Sequence, residues 1–219
     1  MKKNITIILL TFASILSLGQ IKFTEPKLNI KHGDLTIYLD SDTNSFITKH
    51  ELKYSDFKKL DSDRDDRWFQ DTYKGIYNKE YYVRTGYDLG HLTPSHITSY
   101  NDTLNHESFS LFNQAPQLAA FNRGKWAQLE RGVEDSIAKY KTDVTIITGV
   151  IYDNKNKMYL NKSRIKIPDV YYKILIIKQK KKPLTYVWVG SNVNGQILKS
   201  DIPQLNGILK INNNNLKFE

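Results

Sequence analysis

Three runs of β-branched, aromatic and other apolar residues, at 144–151, 171–177 and 184–189, have the pattern of buried strands, and together they predict a central sheet. Shorter alternation at 20–46, clearest in Leu35-Thr36-Ile37-Tyr38-Leu39, predicts early strands. Residues 81–83 enter a strand ending near His91, 101–106 reads as a polar loop, and 109–112 as a short strand before a turn at Pro116. Beyond Pro116 the period changes. At about 100° per residue, Trp126, Leu129, Val133, Ile137 and Tyr140 fall on one face of a helix, three and four residues apart. The expected fold class is α+β, with a mixed or antiparallel central sheet flanked by helices.

Asn122 falls on the same apolar stripe. A carboxamide aimed at an apolar layer costs free energy unless its oxygen and its NH2 group are met, either by backbone or by a ligand such as a metal ion. Glu130 lies eight residues on, about 80° around the helix, at the edge of the stripe and within reach of a hydrated ion.

Two motifs precede this helix: Gly86-Tyr87-Asp88-Leu89-Gly90-His91-Leu92-Thr93-Pro94 and Phe112-Asn113-Gln114-Ala115-Pro116-Gln117. With Asn122-Arg123-Gly124-Lys125-Trp126 and Leu129-Glu130 they form an ordered set that resembles the DNA/RNA non-specific endonuclease family, which includes mitochondrial endonuclease G. Weaker likeness extends to Ile147-Thr148-Gly149 and to Ile167-Pro168 before Tyr171-Tyr172-Lys173. The resemblance implies a ββα-metal (His-Me finger) element and a nuclease acting on DNA and RNA with Mg2+, or Mn2+ in its place. It implies His91 as general base, Asn122 as direct metal ligand, Glu130 as a carboxylate holding the metal's water, and Asn113 as a supporting polar residue among those that meet substrate.

The chain departs from the family pattern once. Leu89 stands where the family's Asp-Arg-Gly-His motif has arginine, and Arg84, Arg67 and Arg123 are the nearby candidates to supply a guanidinium, Arg84 and Arg123 being named for substrate binding. The alternative reading comes from the same position: a member of the fold that binds nucleic acid with weak or lost catalysis.

The residue types suit phosphodiester hydrolysis. An imidazole near its ordinary pKa accepts a water proton at neutral pH, and a single hard cation neutralises phosphate charge. One neutral amide oxygen with water and phosphate suits Mg2+, whereas Zn2+ would want several His or Cys.

Composition adds a context. Residues 1–19 read as a secretory signal, with Lys2 and Lys3 before an apolar run from Ile5 to Leu18 and small residues ahead of Gln20, leaving 20–219 as one nuclease domain that is periplasmic or extracellular and not inserted in a membrane. The formal charge of +9 falls to +7 once those lysines leave, which suits a polyanionic partner. There is no cysteine, so no disulfide. The acidic run 61–67 lacks the glycine and closing glutamate of an EF-hand and is expected to be a solvated loop. Residues 178–183 read as a charged hairpin turn, 212–215 as a frayed tail, and His32, His50, His96 and His106 as surface or structural residues.

Overall fold

Long β-branched strands dominate the chain, and the computed structural model pairs seven of them into one wholly antiparallel sheet. The structure describes residues 28–40, 45–60, 67–68, 79–153, 155, 158–161, 163, 165–212 and 216–219. The expected leader, nearly all of the acidic run and all of the asparagine tail but Asn212 lie outside these residues.

The chain begins with β1 (Leu28–His32), β2 (Leu35–Asp40) and β3 (Ser45–Leu52), a meander closed by the short helix α1 (Tyr54–Phe57). Strand β4 (Tyr87–His91), helix α2 (Asp102–Ser108) and strand β5 (Gln114–Leu118) come next. A helical stretch then starts as α3 (Ala119–Phe121), passes through a π-helical turn at Asn122–Trp126 and continues as α4 (Ala127–Tyr140). Four more strands, β6 (Val144–Ile151), β7 (Val170–Ile177), β8 (Leu184–Ser191) and β9 (Ile197–Ser200), lead to α5 (Ile202–Ile211). The large sheet runs β1-β2-β3-β6-β7-β8-β9, while β4 and β5 form a separate two-stranded ribbon.

Both faces of the sheet are covered. Tyr172, Ile174 and Ile176 of β7 pack with Leu205 and Leu209 of α5 and with Phe218, which docks the C-terminal end. The alternate residues Tyr171, Leu175 and Ile177 face the other layer, where Phe121, Trp126, Val133 and Ile137 cover them. Period 2 in the strands and a helical period in α4 thus generate three layers.

Several expectations need correction. The strand ending at His91 begins only at Tyr87; residues 79–82 form a 3-10 turn, and Arg84 and Gly86 carry positive φ of 60° and 81°. The polar stretch at 101–106 is mostly helix, because Asn101 caps α2 by accepting from the Leu104 N–H at 2.9 Å. Pro116 does not make a turn but sits inside β5 opposite Leu89, a place open to proline because β5 pairs on one side only. The 109–112 segment forms turn and 3-10 structure, and α5 had no foreseen counterpart. His50, expected among surface or structural residues, is structural: it is wholly buried, and burial pulls its pKa down to about 4. The sheet core at 144–151, 171–177 and 184–189, the strand at 35–39 and the 178–183 hairpin stand where the pattern put them.

Gly190 of β8 couples the sheet to the helical layer. A Cβ there would come within 2.6 Å of the Phe121 ring, which is 1% exposed and packed against Trp126 and Tyr171. Gly190→Ala is expected to lower unfolding free energy by ~1–3 kcal/mol through overpacking, read as a shift of the denaturant midpoint at constant slope. An unchanged midpoint would mean that Phe121 yields freely.

Candidate active site

The β4–β5 ribbon brings the first motif to the site. β4 pairs with β5 so that Leu89 faces Pro116 and His91 faces Gln114. Gly90 is required by packing, since a Cβ would collide with the buried Gln117 side chain across the ribbon. His91 ends the strand half-buried, with its ring 4.5 Å from that of Trp68 and edge-on to Phe109 at 4.9 Å. Those rings restrict the imidazole's rotamers.

The backbone after His91 is held as firmly. Leu92 N–H donates to the Asn113 carbonyl at 2.9 Å, and Thr93 N–H donates to Asn113 Oδ1 at 2.9 Å. Asn113 Nδ2 donates in turn to the Thr93 carbonyl at 2.8 Å and the Ser108 carbonyl at 2.7 Å. Asn113 is wholly buried, so its carboxamide acts as a clamp on the loop beyond His91.

Asn122 stands where the helix is irregular. The regular projection used on the sequence does not hold here, because a π-turn inserts an extra residue and Gly124 takes a non-helical φ of −103° and ψ of −105°. That turn leaves Asn122 half-buried and lets Trp126 close over the core. Asn122 Nδ2 donates to Asp88 Oδ2 at 2.9 Å. A carboxylate can only accept, so this bond fixes the orientation of the amide and puts Asn122 Oδ1 at the opposite corner. Arg123 donates to both Asp88 oxygens, from Nε at 2.8 Å and Nη2 at 2.6 Å. Burial alone would raise the Asp88 pKa, but the hydrogen bonds from Arg123 and Asn122 outweigh it and hold the carboxyl below its ordinary value.

Glu130 reaches the same strand from the other side. Its Oε1 lies 3.6 Å from Nζ of Lys173, a residue 1% exposed at the middle of β7. The same ammonium donates to the Leu92 carbonyl at 3.2 Å and Thr148 Oγ1 at 3.0 Å, and sits 5.1 Å from the centre of the Trp126 ring. Burial pushes Glu130 up and Lys173 down from their ordinary pKa values, and their mutual attraction opposes both shifts.

Asn122 and Glu130 are therefore tied to the two ends of the strand that carries His91, through Asp88 and through Lys173. Arg123 joins this group by way of Asp88, with 74% of its side chain exposed, and Arg84 is exposed in the turn before β4. Leu89 is half-buried against the apolar cluster of Tyr82, Leu160, Ile165 and Ile167. Sequence reasoning gave no role to Asp88, Lys173, Trp68 or Phe109. Lys173 did leave a signal, a lone cation within the apolar run YYKILII; Trp68 left none.

The donor set fits a hard cation. Asn122 Oδ1 is the free-facing amide oxygen, and among the described residues no three His, Cys, Asp or Glu side chains gather into a metal-binding group. An ion at Asn122 would thus keep mostly water and substrate oxygens, as Mg2+ prefers.

A family model described as DNA/RNA non-specific endonuclease matches residues 20–216. The chain is 33% identical over 107 residues to a mitochondrial nuclease of Saccharomyces cerevisiae, an overlap of 43% of this chain and 32% of that protein. It is 30% identical over 107 residues to nuclease C1 of Cunninghamella echinulata var. echinulata, covering 45% and 42% of the two. The matched region thus spans less than half of either relative. A chain from the crystal structure of the EndoG/EndoGI complex shares the fold, with a TM-score of 0.68, 20% identity and 83% of each chain covered.

The Asp88 interactions give a pH signature. A carboxyl whose folded pKa is depressed contributes stability above its unfolded pKa of ~3.9 and loses it as pH falls through the folded value. Wild type is expected to melt above Asp88→Asn at neutral pH, with the gap closing below about pH 4. A gap that holds or widens on acidification in thermal melts would contradict the assigned charge state.

Proposed function

This chain belongs to the DNA/RNA non-specific endonuclease family, and from that premise we propose that it is an exported, metal-dependent endonuclease cutting phosphodiester bonds in both DNA and RNA. The observation that supports this most is the shared anchorage of His91, Asn122 and Glu130 on β4, the first by sequence and the others through Asp88 and Lys173. Export rests on the apolar run behind Lys2 and Lys3, and the polyanionic substrate on the basic charge of the chain.

His91 accepts the proton of the attacking water, held in place by the Trp68 and Phe109 rings. Asn122 Oδ1 would hold the divalent ion, Mg2+ or Mn2+, with Glu130 orienting its water; the bound ion supplies charge neutralisation on phosphate and polarisation of the leaving oxygen. Asp88 keeps the Asn122 amide from turning its NH2 toward the cation. Arg123 and Arg84, both exposed, would meet the phosphate backbone, while Asn113 keeps the loop after His91 in register. None of these groups reads a base edge, so the cut would track backbone geometry and not sequence.

The mature protein, incubated with supercoiled plasmid and separately with RNA, is expected to nick both in Mg2+ and neither after chelation. Failure to cut either polymer in Mg2+ or Mn2+ would leave the binding-only alternative raised by Leu89.

Two variants separate the roles. His91→Ala is expected to slow cleavage by ~10²-fold or more with metal affinity unchanged, because it removes proton transfer alone. Asn122→Ala is expected to weaken Mg2+ binding in titration calorimetry as well as the rate. Unaltered metal affinity in that variant would sink the ligand assignment.

A further inference from the structure

Lys173 is a buried cation that the cleavage chemistry does not require. Its ammonium ties three separate elements: it donates to the Leu92 carbonyl after β4 and to Thr148 Oγ1 on β6, and it forms an ion pair at 3.6 Å with Glu130 Oε1 on α4. A methionine-sized apolar side chain would fill the same volume without the desolvation cost of a charge, so packing alone gives no reason for lysine. The Leu92 contact is the informative one. The carbonyl of residue 92 accepts from Lys173 while its N–H donates to the Asn113 carbonyl, so the residue next to His91 is held through both its peptide groups.

We propose that Lys173 is a positioning residue that sets the spacing between the strand end carrying His91 and the helix carrying Asn122 and Glu130. It touches neither substrate nor the reacting atoms. It fixes the general base and the water-holding carboxylate to one atom, so that neither can drift relative to the other, and displacement on the scale of an ångström costs orders of magnitude in rate. This inference rests on the nuclease reading for its catalytic consequence but not for its geometry.

The test uses the full chain in four forms: wild type, Lys173→Met, Glu130→Gln and the double variant. The double variant keeps the experiment interpretable if Lys173→Met alone fails to fold, because it leaves no orphan carboxylate in the interior. In carbon–proton spectra, with the His91 signal assigned through His91→Gln, the double variant is expected to shift the His91 ring signal relative to Glu130→Gln while the His106 signal stays in place. Its kcat should fall a further ~10-fold or more below that of Glu130→Gln, with KM for plasmid changed less than ~3-fold. An unmoved His91 signal, or a double variant as fast as Glu130→Gln alone, overturns the proposal. Absence of cleavage by wild type would strike the nuclease reading instead, and the spectra would then decide on Lys173 alone.

Discussion

A positive charge in the centre of a seven-stranded sheet has to be answered by its neighbours, and the way Lys173 is answered organises this molecule. Thr48, Thr148 and Lys173 are successive register partners across β3, β6 and β7, so a polar row crosses the face beneath the ribbon. Thr93 Oγ1 donates to Thr48 Oγ1 at 2.9 Å, which ties the loop after His91 to the same row. Removing one member of a buried ion pair commonly costs ~3–5 kcal/mol because the survivor is left charged in a dry interior. The row therefore tolerates few alternatives, and its bonds to the Leu92 carbonyl and Thr93 hold the end of the ribbon against the sheet.

The second constraint is local to the helix. A regular helix from Ala119 to Tyr140 would carry Asn122 and Trp126 in the phase of Val133 and Ile137, with Asn122 facing the core. The π-turn at Asn122–Trp126 changes that phase, so Trp126 still closes over Lys173 while Asn122 swings to Asp88 at the ribbon. One inserted residue thus reconciles a core-filling indole with a polar side chain directed at the site.

How much of this fold and site the sequence disclosed depends on how local each signal is. The β-branched runs at 144–151 and 184–189 marked strands because burial on a pleated surface selects those residues at every position. The amphipathic stripe from Leu129 to Tyr140 marked α4 for the same kind of reason. The π-turn left no trace in a period count, because it depends on Trp126 finding Phe121 and Tyr171, which come together only in the folded layer. Asp88 was legible as part of a motif but not as the partner of Asn122, since a contact across 34 residues has no period. Asn101 was legible in principle: an asparagine ahead of Asp102 with a turn of helix behind it is a capping signal, hidden by the polarity of Asp102, Thr103, Asn105 and His106.

The charges around the site cancel in pairs, and this bears on the leucine at position 89. Asp88 pairs with Arg123 and Glu130 with Lys173, so these four ionisable groups of the ribbon, the helical stretch and β7 sum to no net charge. A phosphate approaching them would meet Arg123 only through the guanidinium N–H groups not turned to Asp88, since the two donors facing Asp88 are already met. Leu89 adds no charge, and it lies against an apolar cluster where an arginine would have to thread its stem past Ile165 and Ile167 to bring its head to the surface. In a frame that is neutral by construction, the positive potential that stabilises a pentacoordinate phosphorus would have to come from a bound cation or from outside the four groups. On the proposed reading, a divalent ion at Asn122 would therefore carry more of the charge stabilisation here than in a site with a guanidinium in the place of Leu89.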